Sequence, residues 1–350
     1  MRRALTALLI ALVLAGSALY AVERHWRTRG YTPIIVDAPD LWSLQRAKAS
    51  MVERPIVFLG ASRTLYAIDR ATMRARLPTH EPVMLAMDGR YPLATLRDLA
   101  ADADFRGIVV CDIDGAGFAQ PSLDMQQPEV AFYRHAFSPS RAAHRMLLNH
   151  WQLHAVIGRS DFSLLRSAVR WWNGEGEPFR PHQWLDRRRF GAIDYERGDP
   201  EGYKAQLARH VENHGGHLPR IAFDEWWPQV ELANAWVRTI QARGGDVIFY
   251  ASPTSGQRRE VEEDWFPRAI YWEKMAAATT AGTLFALDVP ALRDFPRPDD
   301  SHIDYRQKPA YTHALIDALI ERGFIPSTRS ATSTDAVPLA RQSDSEDGGT

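Results

Sequence analysis

Three side chains in this sequence can together perform acyl transfer: Ser62, Asp299 and His302. Residues 56 to 64 read Ile-Val-Phe-Leu-Gly-Ala-Ser-Arg-Thr, so an apolar run delivers a serine at its carboxyl end. Far downstream, Asp299-Asp300-Ser301-His302 supplies a carboxylate and an imidazole just before a final amphipathic stretch. A lone serine hydroxyl is a weak nucleophile. One that meets a histidine oriented by a carboxylate can attack an acyl carbon and carry the acyl group. Asp299 lies three residues before His302, so a tight turn can aim both side chains inward, and Asp300 is the competing orienting acid. The plainer alternatives are a serine that caps a helix after a strand and an acidic, solvated turn that starts the last helix.

Such residues act only if the chain brings them to one edge, and the elements predicted around them do so. Apolar runs at 55–59, 83–86, 107–113, 246–251 and 283–289 read as strands, and the continuous apolar character of the first four is that of strands buried on both faces. Helical spacing covers 41–51, 71–76, 93–103, 225–243, 260–281 and 308–322, and Gly244-Gly245 ends the fourth of these because glycine accepts a left-handed cap. Five βα units joined by short connections imply an α/β protein, with a central parallel sheet of about five strands covered by helices on both faces. Between them, residues 118–220 form a long polar-aromatic insertion after the third strand, with helices expected over 141–157 and 162–172. In an open parallel sheet, the carboxyl ends of the strands are where ligands bind, and Ser62 stands at one of them.

This arrangement resembles the SGNH (GDSL-type) hydrolase superfamily, particularly its membrane-anchored envelope members linked to polysaccharide O-acetylation. The resemblance spans about residues 55–323, with the insertion outside it. Gly60-Ala61-Ser62-Arg63-Thr64 is similar to the family's first block, whose serine is the nucleophile. Ala86-Met87-Asp88-Gly89 looks like the second, which implies that the N–H groups of Gly89 and Ser62 form an oxyanion hole. Asp299-Asp300-Ser301-His302 resembles the terminal Asp-x-x-His block, and Ser252-Pro253-Thr254-Ser255-Gly256 stands where relatives carry a Pro-rich active-site loop. The third block departs: Cys111-Asp112-Ile113-Asp114-Gly115 lacks the oxyanion-hole asparagine, and loss of one such donor typically costs about 10²–10³ in kcat. The resemblance implies a three-layer α/β/α, flavodoxin-like fold. It also implies a serine esterase or O-acyl(acetyl)transferase acting on an envelope carbohydrate through an acyl-enzyme on Ser62, without cofactor or metal. A transferase would further need an acyl donor delivered by an integral membrane partner. The missing asparagine sustains the contrasting expectation, a non-catalytic anchored scaffold or polysaccharide-binding protein.

Composition narrows the class. With 42 basic and 43 acidic side chains there is no nucleic-acid footprint. The lone Cys111, beside Val109 and Val110, reads as a buried, inert thiol. Residues 1–23 hold a 19-residue run without charge (Ala4 to Val22), long enough for a membrane anchor, with cleavage as a signal peptide the alternative. A single-pass protein of the cytoplasmic membrane with its body on the extracytoplasmic side is therefore expected. Residues 24–54 read as a polar stalk and short helix, 55–326 as the catalytic body, and 327–350 as a disordered tail. A nucleotide loop at 60–64 would need more glycines or a Gly-Lys-Ser/Thr step. His210, His214 and His217 with Glu212 have weak metal spacing, because Gly215-Gly216 interrupts any shared helix. Of the eleven tryptophans, Trp171-Trp172, Trp184 and Trp226-Trp227 are expected in packing rather than on a sugar platform, and Arg187-Arg188-Arg189 in an exposed turn.

Overall fold

The computed structural model describes residues 2–178, 180–212 and 221–326; His214, His217 and the expected tail lie outside them. The central sheet contains β1 (Pro55–Leu59), β2 (Glu81–Met84), β3 (Ile108–Asp112), β6 (Asp246–Ala251) and β7 (Gly282–Phe285), while β4 (Gln183–Leu185) and β5 (Gly191–Ile193) form a separate antiparallel pair. The order β2-β1-β3-β6-β7 is parallel throughout. The chain reverses direction across the sheet between β1 and β3, which makes the crevice at their carboxyl ends a topological switch point. Side chains alternate between two cores. Val57 and Leu59 point to one with Trp42, Leu96 and Trp226, while Ile56 and Phe58 point to the other with Leu65, Met73 and Leu315.

Helices cover both faces, as the continuous burial of β1 requires. In chain order they are α1 (Arg2–Thr28), α2 (Pro39–Met51), α3 (Ser62–Ala67), α4 (Arg70–Arg76), α5 (Leu93–Ala101), α6 (Gln127–His135), α7 (Pro139–His154), α8 (Leu164–Trp172), α9 (Pro200–Glu212), α10 (Phe223–Gln241), α11 (Gly256–Trp265), α12 (Trp272–Ala278), α13 (Pro290–Arg293) and α14 (Lys308–Glu321). The insertion holds α6 to α9 and the β4–β5 hairpin.

Several expectations need correction. The helix expected over 260–281 is two, because Pro267 cannot donate a helical hydrogen bond and restricts Phe266. The last strand ends at Phe285 and gives way to a 3₁₀ turn. The segment read as a stalk is docked: Trp26, Tyr31 and Ile35 are buried, and Ile35 bridges to Leu185. Arg189 is fully buried rather than solvated, since its guanidinium pairs with Asp37 and donates to the Met84 carbonyl. Trp171 and Trp172 are 82% and 83% exposed, so neither packs. The amino-terminal helix α1 is long and apolar enough to span a membrane, with a mean hydropathy of 2.3.

Candidate active site

β1 ends at Leu59, and the chain turns through Gly60 into α3 with Ser62 as its first residue. Gly60 has φ +151°, and a Cβ there would lie 2.7 Å from Thr64 Oγ1 and 2.9 Å from the Asp112 side chain, so only glycine permits this turn. Ala61, not Ser62, is the N-cap of α3, so capping does not engage the Ser62 hydroxyl. It lies 2.8 Å from His302 Nε2 instead, across 240 residues of chain. His302 Nδ1 is 2.8 Å from Asp299 Oδ2, while Asp299 Oδ1 accepts the backbone N–H groups of Ser301 (3.0 Å) and His302 (2.7 Å). One carboxylate thereby fixes both the ring and the turn that carries it. Burial pushes the Asp299 carboxyl up, but the hydrogen bond and charge of His302 outweigh this and hold it well below the usual carboxylate range. The Tyr195 hydroxyl, buried without a hydrogen bond of regular geometry, also lowers the Asp299 carboxyl, to a lesser degree than His302.

Asp300, the rival acid, faces elsewhere. It sits at φ +65°, and its carboxylate accepts the Ser255 hydroxyl at 3.3 Å while its carbonyl accepts the Ser255 N–H at 3.0 Å. The Pro-rich loop after β6 therefore braces the turn carrying the histidine. The left-handed φ at Asp300 makes that bracing necessary, because a non-glycine residue there is intrinsically disfavoured.

Gly89 follows β2 in an exposed turn at φ +66°, closed by the Arg90 N–H on the Met87 carbonyl. Gln126, fully buried, connects this turn to the serine turn: its Nε2 donates to the Gly60 carbonyl at 3.1 Å and to the Arg90 carbonyl at 3.0 Å, while its Oε1 accepts the Thr95 hydroxyl. Sequence reasoning missed Gln126 and Tyr195. Both come from the insertion, and no local spacing linked them to the site.

The third-block region carries acids with assigned partners. Asp112 accepts Thr64 Oγ1 (2.8 Å) and the Ser252 N–H (3.1 Å), joining the loops after β1, β3 and β6. Burial pushes its carboxyl up against the opposing pull of Arg63. Asp114 pairs with Arg63, accepts the Tyr91 hydroxyl at 3.2 Å and caps the Gly117 N–H at 3.0 Å. Burial raises its carboxyl, but Arg63 and Arg258 prevail and hold it low. An ionised carboxylate offers no hydrogen to an oxyanion, so Asp114 cannot do what an asparagine would. Cys111 is buried, and burial pushes its thiol well up, as an inert structural cysteine requires. Among the described residues, no group of three or more His, Cys, Asp and Glu is placed to hold a metal ion.

Beside the triad-like set, the Tyr66 ring meets His302 edge-on at 6.2 Å between ring centres, and its hydroxyl reaches Gln183 (3.3 Å) on β4. The next residue, Trp184, packs edge-on against Tyr305 at 5.3 Å. A cavity of about 650 Å³ opens there, lined by Tyr31, Trp184 and Tyr305 together with Arg180, Asp194 and Arg197. Its lining includes neither Ser62 nor Asp299 nor His302, although Asp194 adjoins Tyr195 in sequence and Tyr305 follows His302 by three residues.

No family model and no curated protein matches this chain. Among solved structures, the crystal structure of TesA aligns with 77% of this chain and 99% of its own, at a TM-score of 0.33 and 12% identity. A likeness that weak adds nothing to the chemistry, which rests on the side chains themselves.

Proposed function

We propose that this protein is a serine acyl-transfer enzyme of the SGNH type, an ester hydrolase or O-acyltransferase held at a membrane by α1. The observation that carries the reading is the unbroken chain Ser62 Oγ–His302 Nε2–Asp299, with both links at 2.8 Å. His302 takes the Ser62 proton as Oγ attacks the acyl carbon, and Asp299 holds the ring's tautomer and offsets its positive charge. The tetrahedral oxyanion is stabilised by the N–H groups of Ser62 and Gly89. The protonated His302 then gives its proton to the departing alkoxide, leaving the acyl group on Ser62. Water or a sugar hydroxyl, deprotonated by His302, attacks that ester, and His302 returns the proton to Ser62 Oγ as the acyl–oxygen bond breaks.

The substrate proposed is an acylated carbohydrate of the cell envelope, with acetyl as the acyl group.

 The cavity lined by Trp184 and Tyr305 is in keeping with a carbohydrate: aromatic side chains suit sugar rings, and Arg180, Asp194 and Arg197 offer partners for hydroxyl and acid groups. We place the body on the extracytoplasmic side of the cytoplasmic membrane. In the transferase form, the acyl donor comes from an integral membrane partner. A second reading, a non-catalytic polysaccharide-binding scaffold, is favoured by one feature alone, the paired carboxylate of Asp114 where a donor would serve the oxyanion.

The two readings part in one experiment. Full-length protein is treated with a fluorophosphonate, digested and mapped, and in parallel given 4-nitrophenyl acetate. Covalent labelling at Ser62 that Ser62→Ala abolishes is expected of the enzyme. Folded protein that neither labels at Ser62 nor turns over the ester faster than Ser62→Ala leaves the scaffold.

A further inference from the structure

We propose that α8, together with the exposed apolar side of α7, is a second membrane contact that lies in the interface of the same bilayer α1 spans and seats the body on the lipid. The inference rests on α1 being embedded and is independent of any chemistry at Ser62.

The sequence of α8 is divided cleanly between two sides. At 100° per residue, Leu164, Leu165, Ala168, Val169, Trp171 and Trp172 fall within an arc of about 160°, and Arg166, Ser167 and Arg170 occupy the rest. In a helix packed on a protein core, that apolar arc would be covered. Here no residue of α8 is buried, and Leu165 is 76% exposed alongside the two tryptophans. Exposed apolar area of this density on one short helix marks a surface awaiting a partner.

The position of the helix identifies that partner. The Trp26 indole donates to the Ser167 hydroxyl at 3.2 Å, so the polar side of α8 is fixed to the base of α1. Trp26 also packs with Tyr31, Val156 and Phe162 in a small core of its own, and Glu23 accepts the backbone N–H groups of Val156 and Ile157 at 3.0 Å each. Through Ala21, α1 is exposed among the described residues, and its apolar run ends at Val22. Trp26 lies four positions after Val22 on the same helix, about 6 Å along the axis. The attachment of α8 thus lies just outside the hydrocarbon boundary set by α1. Interfacial helices bury their apolar side at that depth, and tryptophan concentrates there because its ring is both apolar and a donor. The other helix that reaches the anchor has the same character: Arg27 donates to the His154 carbonyl at the end of α7, and α7 exposes Met146, Leu147 and Trp151. A single spanning helix leaves a body free to swivel, whereas a second contact beside it fixes the body's tilt and the height of the rim above the lipid.

The test uses the full chain with Cys111→Ala, reconstituted in nanodiscs of phosphatidylethanolamine and phosphatidylglycerol. Nitroxide labels are attached at Leu165→Cys, Trp172→Cys, Arg166→Cys or Arg170→Cys, and collisions are measured with oxygen, which partitions into lipid, and with a water-soluble nickel chelate. Labels at 165 and 172 should favour oxygen over nickel by about threefold or more relative to labels at 166 and 170, as burial at the acyl boundary requires. Equal access of both agents at 165 and 172 would mean a solvated face and overturn the proposal. Low access of both would mean a protein cover, a partner or a second copy, and overturn it too. Fluorophosphonate labelling of Ser62 in the same samples reports separately on the chemistry, so either reading can fail alone.

Discussion

The rim around Ser62 and the surface around α8 stand at opposite extremes of the same molecule. At the rim, the acids and the amide that hold the turns are buried and matched: Asp299 satisfies a ring and two backbone N–H groups, Gln126 joins two carbonyls, and Asp112 ties three loops. Around α8, apolar groups are exposed and unmatched within the protein. A buried polar group without a partner is expensive in a folded chain, so the rim's atoms are held in one geometry. Exposed apolar area, by contrast, is indifferent to its exact arrangement and needs a medium rather than a specific atom. The first region is built for precision, the second for attachment.

The sharpest challenge to this contrast is the serine itself. Ser62→Ala should lower ester turnover by up to about 10⁶-fold, measured with 4-nitrophenyl acetate, while thermal unfolding stays close to the parent because only one hydroxyl is lost. Next comes the comparison of neighbouring acids. Asp299→Asn should lower turnover by about 10⁴-fold through the wrong imidazole tautomer, whereas Asp300→Asn should change it by no more than about threefold, since that carboxylate contacts Ser255 rather than the ring. Comparable losses in the two variants would undo the assignment of the orienting acid.

Gln126→Leu probes whether the match extends beyond the reacting atoms. It leaves the Gly60 and Arg90 carbonyls without their side-chain donor, and a cost of about 1–3 kcal/mol in stability is expected by chemical denaturation. Turnover should fall by up to about 10²-fold, because the serine and Gly89 turns lose their tie. Turnover unchanged in a destabilised variant would make Gln126 purely structural.

The remaining effect is on stability alone and lies away from the reacting atoms, at Lys308, whose ammonium is buried against the Gly191 carbonyl and is pushed down to about 8 by burial. Its folded value lies below its unfolded value of 10.5. Between those two values the unfolded chain holds the extra proton, so this group's contribution makes stability rise with pH from about 8 to 10.5 and stay constant below 8. The rise is on the order of 3 kcal/mol at most, and Lys308→Met should remove it from the pH dependence of unfolding. An identical pH slope in the variant would show that the lysine is not desolvated as described.

Much of the rim was legible in the residues. Apolar runs mark β1, β3 and β6, Ser62 opens the helix that follows β1, and His302 stands six residues before α14, so their placement needed only the general rule for parallel sheets. Asp299 and Asp300 could not be separated by spacing, because the choice depends on a left-handed backbone at Asp300 that the Ser255 loop stabilises. The hairpin β4–β5 escaped notice because each strand has three residues and no turn signal of its own. The turn expected at 187–189 exposes Arg187 but not Arg189, because Asp37, distant in sequence, supplies the charge that allows Arg189 to be buried.

What the sequence determined by itself was local and periodic: which stretches are apolar enough to be strands, where glycine must allow a turn, and that α1 is long enough to cross a bilayer. Tertiary structure alone decided which acid faces His302, that Gln126 and Tyr195 from the insertion reach the rim, and that Trp171 and Trp172 find no core. The reason is physical. Strand and helix preferences are set by neighbours within a few residues, whereas the pairing of a buried polar group, or the lack of cover over an apolar one, depends on atoms brought close only when the whole chain has folded.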